Sequence, residues 1–459
     1  MDFMKKLFAP VDMTEGTPWK KIVIFMFPML IGNIAQQLYT TVDTIVVGKY
    51  VGDNAISAVG SAGPLLNLLL VLFVGISMGG TIMVSQYFGA KDKESLSYSI
   101  GNCIILILIS TIIIMIVAPI ISEPALRLLK TPEHIIGDTV SYLFITCMGI
   151  AGMAYYNILS AILRGLGDSV SALYYLLIAS GINIVLDIVF VANFGMGVNG
   201  VALATVIAQT ISAILCVRKL SKMSDLFDLK LKYLKLSKKF SGTMIRLGLP
   251  SGVTQAIVAV SMIIVQPLTN SFGDVVIAAS IVIMRVDGFA MMPNFSFGNA
   301  MTTYSGQNTG AKKDQRLLDG ARQGTWISIA VTTVITAIIL IFGKQIMGLF
   351  TETEEVINYS NRFMFILAFG YVAMALTQSL SGVIRGAGDT VMPMWISLIV
   401  TVGLRIPLAY LLAYITRSEA YPIGRPESIH LSLLVTWTLS AIVTYIYYRS
   451  NKWKNKGVK

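Results

Sequence analysis

The sequence predicts an all-α integral membrane protein: twelve transmembrane helices in two parallel six-helix repeats around a central cleft. Three observations carry this expectation. Of 459 residues, 55% are hydrophobic and only 13% charged, and the mean hydropathy is +0.73, which is more apolar surface than a soluble core can bury. Apolar windows of about 20 residues, the length that crosses a bilayer, recur along the whole chain. Finally, motifs of the first half return in the second at a constant offset of 221 residues.

The windows fall near 21–47, 55–83, 97–121, 135–162, 170–193, 197–217, 243–269, 275–303, 322–343, 356–383, 391–414 and 430–449. The first follows Lys5 and Lys6 as a signal peptide would, but its run is too long, contains Asp43 and lacks a small-residue cleavage site, so it reads as a retained span 1. The segment between spans 6 and 7 carries Arg218, Lys219, Lys222, Lys230, Lys232, Lys235, Lys238, Lys239 and Arg246, and the tail carries Arg449, Lys452, Lys454, Lys456 and Lys459. Positive charge marks the cytoplasmic side, which places this segment and both termini there. The net charge of +11 is then accounted for by topology and by contact with anionic lipid, and no nucleic-acid partner is expected. Cys103, Cys147 and Cys216 lie within spans, and the only histidines are His134 and His430. Neither a disulfide framework nor a Cys/His zinc site can be built from them.

The repeat is explicit in three places. SQYFGAKDKESL at 85–96 and SGQNTGAKKDQRL at 305–317 share Gln86, Gly89, Ala90, Lys91 and Leu96 with Gln307, Gly310, Ala311, Lys312 and Leu317. ILRGLGDS matches VIRGAGDT through Arg164, Gly165, Gly167 and Asp168 against Arg385, Gly386, Gly388 and Asp389. Gly52-Asp53 agrees with Gly273-Asp274. Six spans are an even number, so both copies enter from the same side and are related by an axis along the membrane normal. The expected organisation is a first lobe over 1–217, a basic cytoplasmic linker over 218–242, and a second lobe with its basic tail over 243–459. Two lobes around a cleft favour a transporter. In the R-G-x-G-D turns, glycine ends one helix and aspartate caps the next.

These residues resemble the multidrug and toxic compound extrusion (MATE) family, of a bacterial type. The likeness runs through QQLYTTVDTIVVGKYVG of span 1, the SQYFGA loop, the paired R-G-x-G-D turns, NIVLD of span 5 and GVNGVALATVIAQ of span 6. It implies export of amphiphilic, mostly cationic compounds in exchange for H⁺ or Na⁺ by alternating access, from a multi-pass protein of the bacterial cytoplasmic membrane. No enzymatic activity and no cofactor are expected, and a monomer is expected.

The stretch IASGINIVLDIVFVANFG, 178–195, buries Asn183 and Asp187 in an apolar run. They are four residues apart and share a helix face. At 1.5 Å per residue they lie about 20 and 26 Å along span 5, Thr205 lies about 12 Å into span 6 from the opposite end, and Asp43 about 33 Å along span 1. All four converge on the outer half of the first lobe. Two carboxylates in low dielectric hold either a proton or a metal ion, and this oxygen-rich set suits a hard cation such as Na⁺. The alternative, polar side chains gluing helices together, is weakened because the offset partners Ile264, Leu404 and Leu408, and Leu433 against Thr205, are all apolar. The resemblance implies the same assignment, with Asp43, Asn183, Asp187 and Thr205 as its cation site. Pro28 interrupts span 1 and makes it easy to bend.

The second lobe carries Arg285 and Asp287 in span 8 and Arg405 in span 11. Depth lets Asp287 meet Arg405, and a neutralising ion pair is the favoured reading over a drug or second proton site. Gln255 and Gln378 stand where some family branches carry an acid. Gln36, Tyr39, Tyr156 and Asn157 are candidates to line the cleft, with ordinary helix packing as the alternative, and the Met-rich FAMMP of span 8 suits either a promiscuous pocket or packing. A lipid-precursor flippase is the alternative function; it calls for a cleft lined by several Lys or Arg. A membrane-embedded enzyme is disfavoured by the absence of HExxH, GxSxG or a Cys/His set.

Overall fold

The computed structural model describes residues 10–129, 131–454 and 456–458; Lys5, Lys6 and Lys459 of the charge pattern lie outside them. Long helices dominate, and among the described residues the only strand-like feature is an isolated bridge between Ser418 and Tyr421. The helices are α1 (Pro18–Tyr50), α2 (Asp53–Gly89), α3 (Lys93–Leu128), α4 (Glu133–Met148 with Ile150–Gly165), α5 (Ser169–Asn193), α6 (Gly197–Ser221), α7 (Lys238–Ser271), α8 (Asp274–Gly310), α9 (Asp314–Gly348), α10 (Glu354–Gly386), α11 (Val391–Ile415) and α12 (Glu427–Arg449). Eleven of them are long and apolar enough to cross a membrane, and the two halves of α4, bent by 51°, form the twelfth span. The protein is polytopic in the membrane.

Most helices outrun their hydropathy windows. α2 and α8 each have 37 residues, about 55 Å, whereas a hydrocarbon core is about 30 Å thick. Hydropathy marks only the part in hydrocarbon, and the polar ends stand clear of it. Side chains that face outward are apolar: Ile112, Ile116 and Ile120 form one face of α3 and are 48%, 61% and 70% exposed. Such a stripe suits lipid rather than water.

Backbone dihedrals repeat with the sequence. Lys91 and Lys312 both adopt the left-handed region, at φ 56° and 57°, just past α2 and α8, where a left-handed residue commonly ends a helix. Gly167 and Gly388, at φ 89° and 102°, make the R-G-x-G-D turns. Asp168 then caps α5 by accepting from Ser171 N at 2.9 Å, and Asp389 accepts from Met392 N at 3.4 Å. The turn reading of these motifs therefore holds in both copies.

The chain forms two compact units. One comprises 10–12 and Phe27–Gly252; the other comprises Met13–Met26 and 253–458. The division falls inside α1 and α7, rather than at the basic 218–242 segment. Hydrogen bonds explain it for α1: Arg316 donates to the carbonyls of Met13, Glu15 and Gly16, and Gln307 accepts from Met13 N at 2.9 Å. The first turns of α7 lie so close to α2 that a Cβ on Gly248 would stand 2.1 Å from Gly75 O.

In the first unit, Val46, Ala55, Ala58, Val191, Val198 and Val201 form a core shared by α1, α2, α5 and α6. The break in α4 falls at Gly149, where a Cβ would be 2.3 Å from Val206 of α6. Only glycine permits that crossing. In the second unit α8 packs along α10, with Ser305 Oγ donating to Val383 O at 2.7 Å. Lipid gives no hydrophobic drive between helices, so small residues and interhelical hydrogen bonds carry such contacts.

Candidate functional site

The first unit gathers the four residues singled out in its apolar spans. Asn183 and Asp187, one turn apart on α5, are completely buried, and Asp43 projects from α1 and Thr205 from α6. Assigned from its partners, the Asn183 amide turns its nitrogen to both acids: Nδ2 donates to Asp43 Oδ1 at 2.8 Å and to Asp187 Oδ2 at 3.0 Å, while its oxygen accepts from Thr205 N at 3.3 Å. The Asp43 and Asp187 carboxyl groups also lie in hydrogen-bonding contact with each other. Two carboxylates hold that geometry only with a proton or cation to offset their repulsion. Asp187 Oδ1 is buried with no donor among the described residues.

Local backbone sets this arrangement. Asp187 is the last residue of regular α-helix in α5, and Ile188–Asn193 continue as a π-helix. Such segments are rare and are found at functional sites. Tyr39, expected to line a cleft, is instead part of the acid cluster: it is buried, its hydroxyl lies 3.3 Å from Thr205 Oγ1, and it is close enough to Asp43 and Asp187 to feel their charge. It stands one turn before Asp43 on α1, so helical spacing alone puts the two on one face. Tyr142 of α4, which no sequence signal marked, lies close enough to both acids to feel their charge.

The other candidates separate. Gln36 and Asn157 are exposed, and Asn157 Nδ2 donates to Met153 O of its own helix at 2.8 Å. Tyr156 is buried and donates to Ala172 O at 3.3 Å, a packing contact within the unit. Pro28 lies inside α1 at the boundary of the two units. In the second repeat, Ile264 and Leu404 are apolar and partly exposed, so the polar cluster has no counterpart there.

The second unit corrects one expectation. Arg285 is exposed, and Asp287 and Arg405 form no ion pair within 4.0 Å. Buried Arg405 instead donates Nη1 to Ser261 Oγ at 3.1 Å, the Tyr371 hydroxyl near Asp287 donates to Met364 Sδ at 3.1 Å, and Asp287 Oδ1 is buried with no donor among the described residues. A π-helical stretch, Leu398–Leu404, immediately precedes Arg405 and changes which way its side chain leaves α11. His430 is buried in the first turn of α12, and its ring stacks on Phe363 with centroids 4.3 Å apart.

Among the described residues, no three His, Cys, Asp or Glu side chains gather as a metal-binding group. The acid cluster offers hard oxygen donors and one amide, chemistry suited to a proton or an alkali cation. The MatE family profile matches residues 28–189 and 250–411, two stretches of equal length set apart by nearly the offset of the internal repeat. The chain belongs to the MatE family. The first MatE match begins at Pro28 and ends just past Asp187, so it takes in both acids. Over 454 residues the MatE chain is 29% identical to "Probable multidrug resistance protein YoeA" of Bacillus subtilis, covering 97% of this chain and 96% of the relative. It is 23% identical to "Probable multidrug resistance protein NorM" of Thermotoga maritima, covering 96% and 94%. A solved structure of a MOP superfamily transporter from Pyrococcus furiosus superposes with a TM-score of 0.89 at 23% identity, covering 96% of this chain and 98% of that one. Two six-helix repeats are thus the MatE fold.

Proposed function

We propose that this MatE protein is a secondary antiporter that exports amphiphilic, mostly cationic compounds in exchange for H⁺ or Na⁺ by alternating access. The observation that carries the reading is the contact of Asp43 with Asp187, bridged by Asn183, in one repeat only. Ionisable groups at this depth are costly and functional by default, and an unduplicated pair is not scaffolding that both repeats need. The relatives are named for multidrug resistance, which supports drug export; a buried acid pair favours cationic compounds among such drugs. We place both termini and the 218–246 segment in the cytoplasm of a bacterial cell, from the lysine and arginine asymmetry.

The amide of Asn183 is the pivot between the two coupling ions. With its nitrogen inward it bridges the acids, and a single proton completes the cluster. Turned by half a rotation, it presents its oxygen alongside the carboxylates and Thr205 Oγ1, an all-oxygen set that suits Na⁺. Either ion supplies about 1.4 kcal/mol per tenfold gradient and about 2.3 kcal/mol per charge per 100 mV. Efflux of a cationic dye from reconstituted vesicles, under separately imposed pH and Na⁺ gradients, tests the proposal. Dye movement that ignores both gradients overturns it.

A further inference from the structure

At the start of α9 the second unit opens a notch of about 580 Å³, lined by Trp19, Asp319, Arg322, Gln323, Trp326 and Ile327. Its wall is fixed. Trp19 N donates to Gln323 Oε1 at 3.2 Å, and Ile22, one turn on, reaches the backbone position of Gly324. Two large aromatic side chains remain outward-facing around it, Trp19 at 42% and Trp326 at 62% exposure.

The lining changes character with depth. α9 begins at Asp314, so Asp319 and Arg322 lie about 8 and 12 Å along it, and Trp326 with Ile327 about 18–20 Å. Charge therefore sits at the shallow end and apolar surface at the deep end. A phospholipid has this profile: charged headgroup, then glycerol, then acyl chain. Tryptophan is favoured at that level of a bilayer because its ring is apolar and its N–H is polar.

The two charges choose the headgroup. Arg322 makes no ion pair within 4.0 Å, with Asp319 or any other described acid. Among the described residues, Asp319 accepts from Gln315 Nε2, at 3.2 Å. Within the lining, one acid and one base, unpaired with each other, match a zwitterion, and a net anionic headgroup would meet the Asp319 carboxylate as a like charge. Lys20, outside the lining, stands over the Trp19 ring at 5.7 Å from its centroid. We propose that the notch binds one phospholipid with an ethanolamine headgroup. Arg322 takes the phosphate, where its planar fork suits two oxygens, and Asp319 takes the ammonium. Trp19 and Trp326 flank the glycerol and the first acyl carbons. Trp19 rides on the turns of α1 that lead to Pro28 and Asp43, so an occupied notch fixes the near end of that helix.

The site stands independently of the transport reading and is tested on the whole chain, without transport. Protein purified in detergent with equal amounts of phosphatidylethanolamine and phosphatidylglycerol is examined by native mass spectrometry for retained lipid. The wild type should retain one phosphatidylethanolamine in preference to phosphatidylglycerol. Asp319→Asn should lower that preference about threefold, and Arg322→Gln should lower retention of both lipids by about the same factor, as suits exposed charge pairs. Trp326→Ala should lower retention of both without altering the preference. Soluble glycerophosphoethanolamine at equal concentration should displace neither. Both charged side chains are exposed, so their variants should keep the wild-type melting temperature. Equal retention of the two lipids by the wild type, or a preference unmoved in Asp319→Asn, overturns the proposal. So does displacement by the free headgroup, which would make the aromatic wall irrelevant.

Discussion

Lys456 Nζ lies 2.8 Å from Asp389 Oδ2, whose side chain is only 2% exposed. The Tyr447 hydroxyl donates to the same oxygen. In the other repeat, the matching acid, Asp168, pairs with Lys219 at 3.4 Å. The acids are related by the internal repeat and the lysines are not: one ends α6, the other lies beyond α12.

Lys456→Ala removes the ammonium from a buried carboxylate that keeps Tyr447 and Met392 N as donors, and should lower stability by about 1 kcal/mol, discounted because the ammonium is half exposed. Thermal unfolding in detergent should show a loss of about 1 °C, because a chain of this length unfolds with a large entropy. The hydrogen bond to Asp389 raises the Lys456 pKa above its ordinary 10.5. Its stabilisation is then complete below pH 10.5 and fades as pH climbs through the raised value. The gap between wild type and variant should hold constant from about pH 7 to 9 and close only in stronger alkali.

Asp43→Asn and Asp187→Asn should each reduce gradient-driven efflux to background while the melting temperature stays within about 3 °C. Each substitution keeps shape and removes a titrating group. Loss of efflux in Asp287→Asn but in neither of these two would move coupling to the second unit.

Drug and coupling ion should compete. A proton or Na⁺ at the acid pair removes negative charge and weakens attraction for a cationic compound. Equilibrium binding should weaken as pH falls or Na⁺ rises, and the Asp43→Asn, Asp187→Asn double variant should show neither dependence. A wild-type titration that is flat in both would end direct competition as the mechanism.

Pro28→Ala restores a backbone donor to α1 at the boundary of the two units. If bending there links the ion to the drug, efflux per unit gradient should fall severalfold, about 1 kcal/mol of coupling, with the fold intact. Wild-type efflux and coupling in this variant would count against the hinge.

Single cysteines at Lys235 and Lys452, in a cysteine-free background, should resist an impermeant thiol reagent added outside intact cells and react once the membrane is opened. Labelling of either from outside reverses the topology.

Much of this architecture was legible in the sequence because membrane helices advertise themselves, and because Lys91, Gly167 and their partners 221 residues on hold the same backbone angles. Asp187 and Asn183 were visible as polar groups where polarity is expensive. What depth along a helix cannot convey is rotation about it. Asp287 and Arg405 stand at compatible depths, yet a π-helical stretch before Arg405 and the Ser261 hydroxyl send the guanidinium elsewhere. Tyr142 escaped notice for a similar reason: its role depends on how the broken α4 turns toward α1 and α5. The division of the units inside α1 rests on hydrogen bonds such as that of Met13 to Gln307, 294 residues apart, which no local pattern encodes.

That last bond has a consequence for biosynthesis. At about 5–20 residues per second, a ribosome needs on the order of 15–60 s to reach Gln307 after making Met13. Throughout that interval the turns around Met13 have been synthesised, but the acceptor they will dock against does not yet exist. The opening segment of the chain is thus among the last to find its place, and whatever attends the nascent protein must keep it free of other partners until α8 and α9 have emerged.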